Sequence, residues 1–259
     1  MVFYLDESLR ASFLNFNELM MLQGDVFRHQ KGRLTQRITL NHQHYFIKQH
    51  IGVGVKEIIK NLFQLRLPIV SAKNEWRAIQ KCHDIGIPAP RIAGYGKRGL
   101  NPARLQSFIL MHELSPILSL EDLTKKWHGN QPPFRFKMHL ILEIARIVRT
   151  MHHAGMNHRD CYLCHFLLDL NDTNIIYLLD LHRAQIRKKT PSRWKIKDLA
   201  GLYFSSKHIK LTSRDYFRFM KAYRQKSLRD ILFQDENFWK KVKIRGEKLY
   251  RHENKSIMA

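Results

Sequence analysis

One stretch constrains this chain more than any other. Between Met151 and Ser206 it carries His158-Arg159-Asp160, then Asp180-Leu181-His182, then Lys197-Asp198-Leu199-Ala200. Asp180 follows Asp160 by twenty residues. Two apolar runs lie between them, Phe166-Leu167-Leu168 and Ile175-Ile176-Tyr177-Leu178-Leu179, separated by the turn-forming Asn171-Asp172-Thr173-Asn174. Such runs around a polar turn predict a β-hairpin. A carboxylate then sits on a loop at each end of a short hairpin. Phosphoryl transfer needs two carboxylates of this kind: one accepts the proton of an attacking hydroxyl, the other holds the magnesium that bridges the nucleotide phosphates. The structural alternative has Asp160 capping a helix and Asp180 closing a strand.

Residues upstream weigh against that alternative, because other parts of a kinase-type site follow in the right order. H-R-D followed by D-x-x after an apolar run is the catalytic-loop and metal-loop pattern of such enzymes. Val26-Phe27-Arg28 and Leu34 to Leu40 predict a hairpin turned at Gly32, with Lys31 and Arg33 beside it. The next strand is His44-Tyr45-Phe46-Ile47-Lys48, entered through Asn41-His42-Gln43. Tyr-Phe-Ile-Lys stands where V-A-I-K would stand, which makes Lys48 the candidate partner of the α- and β-phosphates. Taken by itself, Lys48 is equally an exposed strand lysine. A helix from Ser71 to His83, with Ser71 as N-cap, carries Glu75, the candidate partner that fixes Lys48. A G-x-G-x-x-G loop is missing, and Gly32 with its flanking cations Lys31 and Arg33 is the candidate replacement. Phe108 to Met111 predicts a buried strand leading into a hinge at His112-Glu113-Leu114, where adenine would meet backbone at Met111 and Glu113.

Residues 1–24 predict a short helix outside this sheet, with no chemistry assigned. Ser119 caps a second-half helix, and Phe136 to Ala154 predicts a long amphipathic helix ended by Gly155. The expected organisation is α+β and bilobal: a small β-rich N-terminal lobe over residues 1–112 and a mainly helical C-terminal lobe over residues 113–259.

Charge narrows the partners. The chain has 259 residues and a formal net charge of +23. Such a balance calls for an acidic partner: nucleic acid, an anionic membrane surface or an acidic substrate. No zinc-finger or RNA-recognition signature is present, which argues against nucleic acid. No apolar run approaches the roughly 20 residues of a membrane span. The N-terminus lacks a basic n-region and an apolar h-region, so a cytosolic protein with reduced cysteines is expected.

Three rival motifs compete with this picture. Cys161-x-x-Cys164-His165 matches c-type haem attachment, but that chemistry belongs to exported chains, so no haem is expected. A zinc site of His158, Cys161, Cys164 and His165 would leave Asp160 and Asp180 unexplained. Gly52-x-Gly54 lacks the third glycine and the βαβ context of a dinucleotide fingerprint. It opens a basic helix, Lys56 to Leu65. His165 stands five residues after Asp160, where a metal-binding Asn is usual. An imidazole there either binds metal or hydrogen-bonds the catalytic aspartate. Downstream, about fifteen residues separate the metal loop from Asp198, with Arg187, Arg193 and Lys197 among their cations and no A-P-E motif. That short cationic stretch favours a small, multiply anionic acceptor over a docked peptide. Asp198 is expected to buttress the catalytic loop from a helix.

Several of these segments together resemble the lipopolysaccharide core heptose(I) kinase family: His158 to Phe166, Asp180 to Arg187, Arg193-Trp194-x-x-Lys197-Asp198-Leu199, Lys56 to Leu62, and Gly99-Leu100-Asn101-Pro102. The resemblance runs from about Gly24 to Arg218. It implies a protein-kinase-like fold and transfer of the γ-phosphate of ATP, with Mg2+, to a heptose of the lipopolysaccharide inner core. Asp160 is carried over as catalytic base and Asp180 as metal ligand; Lys48, for the nucleotide phosphates, and Glu75, as its partner, are carried over too, while His165 stays a candidate metal residue from its position after Asp160. The basic charge then suits a lipid-phosphate-rich acceptor and a peripheral position on the cytoplasmic face of the inner membrane. A small acidic protein suits it equally. Transfer to another core sugar, 3-deoxy-octulosonate or the second heptose, and a catalytically weak nucleotide-binding protein are the alternatives.

Overall fold

The computed structural model describes residues 1–10, 15–30, 32–52, 54, 71–128 and 132–257. Lys31 and the expected helix Lys56 to Leu65 therefore lie outside the described residues. The chain divides into two units. The first comprises Met1–Lys81, Ala89–Leu114 and Asp180–Arg183; the second comprises Cys82–Pro88, Ser115–Leu179 and Ala184–Ala259.

The first unit is built on a six-stranded antiparallel sheet. Its strands are β1 (Val2–Leu5), β2 (Asp25–Gln30), β3 (Arg33–Leu40), β4 (Gln43–His50), β5 (Ile92–Arg98) and β6 (Gln106–His112), in the order β1-β5-β6-β4-β3-β2. Asn41 and His42 both have positive φ, 49° and 60°, which a two-residue hairpin turn requires. That turn sets the β3–β4 register, Arg33 opposite His50 and Thr35 opposite Lys48. Alternation then does the sorting. Tyr45 and Ile47 enter a core with Leu5, Leu9, Phe16, Leu19, Ile38, Phe108 and Leu110. Lys48 takes the opposite face.

Residues 1–24 depart from the sequence expectation. They supply β1, paired with β5 through Tyr4 opposite Tyr95, and helices α1 (Glu7–Arg10) and α2 (Phe16–Met21). Asn15 caps α2 in a reciprocal box with Glu18, and Phe16 meets the Phe108 ring at 5.5 Å. Four residues give too short an alternating run to announce a strand; pairing with β5 makes it one. Helix α3 (Lys73–Asp84) follows Ser71, whose hydroxyl accepts from the Lys73 N–H at 3.3 Å.

The second unit is mainly helical. Helices α4 (Leu120–Lys125), α5 (Phe134–His153), α6 (Ser192–Ser205), α7 (Ser213–Arg224), α8 (Leu228–Gln234) and α9 (Glu236–Ile257) surround two small ladders. Strands β7 (Ile117–Ser119), β9 (Phe166–Asp169) and β10 (Ile176–Leu178) form one, and β8 (Met156–Asn157) with β11 (Gln185–Ile186) forms the other. The hairpin expected between the two aspartates is β9–β10. Helix α5 buries Leu140, Ile141, Ile144, Ala145, Val148 and Met151, one stripe at helical spacing. It ends at Gly155, with φ 79°, where a Cβ would stand 1.9 Å from the Arg187 carbonyl oxygen. Only glycine turns the chain there into β8 and the His158 loop. No helix among the described residues is long and apolar enough to cross a membrane.

Candidate active site

In the first unit the β3–β4 register places Arg33, Lys48 and His50 on one face of the sheet. Lys48 Nζ donates to Glu75 Oε1 from the first turn of α3. Glu75 is 2% exposed, so an ionised carboxylate has left water there, and its cation must stay with it. Lys48 Nζ also lies 3.8 Å from Asp180 Oδ1, and Arg33 Nη2 lies 4.0 Å from the same oxygen. The third neighbour of that oxygen is His182 Nδ1, in hydrogen-bond contact. Asp180 has φ 57°, a left-handed conformation that aspartate tolerates and that is concentrated at functional loops. Asn74 Nδ2 donates to the His182 carbonyl at 2.7 Å and ties this loop to α3. Lys48, Glu75 and Asp180, expected from sequence, therefore converge within one unit.

His50 is 2% exposed and its Nε2 has no hydrogen-bond partner among the described residues. Burial, then Arg33, Lys48 and His182, push its pKa down to about 3. The site thus keeps a neutral imidazole among cations. Gly32 lies in the β2–β3 turn with φ 75°, and its carbonyl accepts from the Ile51 N–H at 3.0 Å. Met111 pairs on both sides within the sheet, opposite Phe46 on β4 and Ile92 on β5. At Glu113 the backbone N–H goes to the His44 carbonyl at 3.0 Å and the carboxylate to Arg37 at 2.9 Å.

In the second unit the His158-Arg159-Asp160 loop leaves β8, held by Gln185 of β11 opposite Asn157. Its anchor is Asp198 of α6, which is fully buried. Asp198 Oδ2 accepts from the His158 N–H at 2.7 Å and Oδ1 from the Arg159 N–H at 2.8 Å. Arg159 has φ 77°. The buttress role expected for Asp198 is seen here as two backbone hydrogen bonds to adjacent residues. His152 Nε2 donates to the same carboxylate at 3.2 Å, and its Nδ1 accepts from the Tyr223 hydroxyl at 2.9 Å. Burial outweighs the pull of Asp198 and lowers the His152 pKa.

His158 Nε2 donates to the Leu179 carbonyl at 2.9 Å. His165 Nδ1 donates to the Asp160 backbone carbonyl at 2.7 Å, and the two imidazoles stack with centroids 5.4 Å apart. This hydrogen bond fixes the His165 ring through Nδ1 and is compatible with either role expected for it, metal ligand through Nε2 or support of Asp160. Cys161 is 1% exposed, and burial, then Asp198, Asp160 and Cys164, push its thiol up.

Sequence inspection missed Asn74, His182, His50, His152 and Tyr223. His182 had a signal, since it fills the glycine position of D-F-G. The others depend on register and tertiary approach, which no local pattern announces.

Comparison with known proteins places the chain in a family. Residues 17–223 match the model of the family described as "Lipopolysaccharide kinase (Kdo/WaaP) family". The lipopolysaccharide core heptose(I) kinase WaaP of Escherichia coli (strain K12) is 47% identical over 239 residues, 90% of each chain. The protein of the same name from Pseudomonas aeruginosa is 43% identical over 245 residues, 93% of this chain and 91% of its own. A solved structure described as WaaP in complex with acyl carrier protein superposes with a TM-score of 0.81 at 39% identity, covering 96% of this chain and 100% of that one. The α+β kinase fold and phosphotransferase class follow, and the chain belongs to the lipopolysaccharide kinase (Kdo/WaaP) family.

Proposed function

We propose that this enzyme transfers the γ-phosphate of ATP to a heptose of the lipopolysaccharide inner core, heptose I. The observation that carries the reading is the 47% identity, spread over nine-tenths of both chains, to a protein named as that kinase. The Lys48–Glu75–Asp180 cluster supports the phosphate end of the reaction.

In this scheme Lys48, fixed by Glu75, holds the α- and β-phosphates. Gly32 would lie over them, and the adenine would reach the Met111–Glu113 segment. The Glu113 carboxylate and N–H are already engaged, so any contact from Glu113 is through its carbonyl. Mg2+ fits the Asp180 carboxylate, a hard oxygen donor, better than the His165 imidazole. Bound there, it would neutralise charge on the β- and γ-phosphates. Asp160 accepts the heptose hydroxyl proton as the oxygen attacks phosphorus, and ADP leaves with the bond electrons. Asp198, through two backbone N–H groups, and His165, through the Asp160 carbonyl, hold that loop in place.

The acceptor brings the enzyme to an anionic surface. The net charge of +23 and the basic helix α9 support peripheral attachment at the cytoplasmic face of the inner membrane. They also suit a small acidic protein, and the solved relative is bound to acyl carrier protein.

Locating the new phosphate on the product tests the acceptor. Purified enzyme, ATP and lipopolysaccharide with an unphosphorylated core should yield phosphate on heptose I by fragmentation mass spectrometry. Phosphate on 3-deoxy-octulosonate or on the second heptose would contradict the assignment.

A further inference from the structure

We propose that Arg159, Arg187, Arg193 and Lys197, gathered around the indole of Trp194, form a subsite for an anionic group of the acceptor, a carboxylate or phosphate, next to Asp160. The proposal rests on the phosphotransfer reading above and names how the acceptor is held. The guanidinium carbons of Arg159, Arg187 and Arg193 lie 5.1, 5.6 and 5.4 Å from the Trp194 ring centroid. Lys197 Nζ lies 5.7 Å from it. Four cations therefore share one ring, all within the second unit.

Like charges held this closely repel, and an indole face offsets only part of that cost. Among the described residues, Arg187 and Arg193 have no carboxylate partner. Arg187 donates instead to two neutral amides, Asn157 Oδ1 at 2.8 Å and Gln185 Oε1 at 2.5 Å. Those bonds aim the guanidinium without neutralising it. Asp198, the carboxylate bonded to the Arg159 N–H, is fully buried and also receives the His158 N–H and His152. Two further donors in the group, Trp194 Nε1 and Asn157 Nδ2, are buried and have no hydrogen-bond partner among the described residues. Arg193 and Trp194 also occupy the first turn of α6, whose N-cap Pro191 supplies no side-chain cap, so the helix dipole adds positive potential. Among the described residues, Arg187 and Arg193 without carboxylates, the first aimed by neutral amides, and two buried donors without acceptors describe a place for oxyanion oxygens. Asp160 follows Arg159 directly, which puts this place beside the proposed base.

Steady-state kinetics of Arg187→Gln, Arg193→Gln and Trp194→Phe test the subsite. The acceptor KM should rise about tenfold for each Arg variant, as expected for losing a charge-assisted hydrogen bond. The ATP KM should stay within about twofold and the melting temperature should hold. Arg193→Lys should recover part of the loss. An unchanged acceptor KM, or acceptor and ATP KM rising together, would overturn the proposal.

Carboxyl-reduced acceptor and acceptor stripped of lipid phosphates identify the anion. The Arg187→Gln penalty should vanish on whichever has lost the bound group; a penalty persisting on both overturns the assignment. If wild type transfers no phosphate to heptose, the proposed function alone fails, and direct anion binding decides the subsite. Binding of a free sugar acid or of inorganic phosphate should quench emission in wild type and not in Trp194→Phe. Equal response in both proteins would refute the subsite.

Discussion

At the scale of single residues, the strongest commitments are buried ionisable groups whose partners define the site. Glu75 is out of water and relies on Lys48. We predict that Lys48→Met lowers stability by about 3 kcal/mol, because it strands a buried charge. Lys48→Met with Glu75→Leu should recover most of that loss in denaturant unfolding, while nucleotide binding stays absent. Equal destabilisation in single and double variants would contradict the pairing. His50 makes a pH-dependent prediction. Its pKa of about 3 lies below the ordinary histidine value, so the unfolded chain takes up its proton first as pH falls. The neutral buried form contributes stability that is present above about pH 6.5 and is lost as pH drops toward 3, at up to about 1.4 kcal/mol per pH unit. His50→Gln should flatten that slope between pH 6 and pH 4 in chemical denaturation. An unchanged slope would refute a neutral buried imidazole. Asp160→Asn, by contrast, should lose transfer and keep nucleotide affinity, measured by equilibrium binding.

At the scale of elements, helix α6 is the platform of the His158-Arg159-Asp160 loop. Asp198 holds two of the loop's N–H groups, and Gly201, one turn on, lets the loop lie close: a Cβ there would stand 2.6 Å from the Cys161 carbonyl. We predict that Gly201→Val lowers kcat by at least about tenfold with smaller effect on the ATP KM, because the loop must shift while its residues stay intact. A kcat matching wild type would show that the contact is dispensable. Much of this level was legible in the chain. The β9–β10 hairpin, helix α5 with its Gly155 stop and the Ser119 cap all follow from period, turn residues and capping. Strand β1 was not legible, since its four residues become a strand through pairing with β5. His182 was visible as an odd residue in a motif, but its hydrogen bond to Asp180 depends on a left-handed backbone at Asp180. Nor could the cross-strand placement of Arg33 and His50 be seen, because register is set by the Asn41-His42 turn. The meeting of Lys48, Glu75 and Asp180 was legible because phosphoryl-transfer chemistry demands residue type and order, and the Asp198 buttress was legible too; the contacts of Asn74, His50 and His152 were not.

At the scale of the whole molecule, the charge of +23 far exceeds what a nucleotide site requires. Attachment to vesicles rich in anionic lipid should therefore weaken steeply with salt, since exposed charges are screened beyond about 10 Å at 0.1 M and about 3 Å at 1 M. Sedimentation at the two ionic strengths checks this, and salt-independent attachment would point to an apolar anchor. The central claim is phosphoryl transfer from ATP to a core heptose with Asp160 as the base. Its most direct measurement is transfer of labelled γ-phosphate to lipopolysaccharide whose core heptose is unphosphorylated, run beside heptose-less lipopolysaccharide and the Asp160→Asn enzyme. Label should appear only with wild-type enzyme and the heptose-bearing acceptor. Label on both acceptors, or undiminished label with Asp160→Asn, would contradict the account.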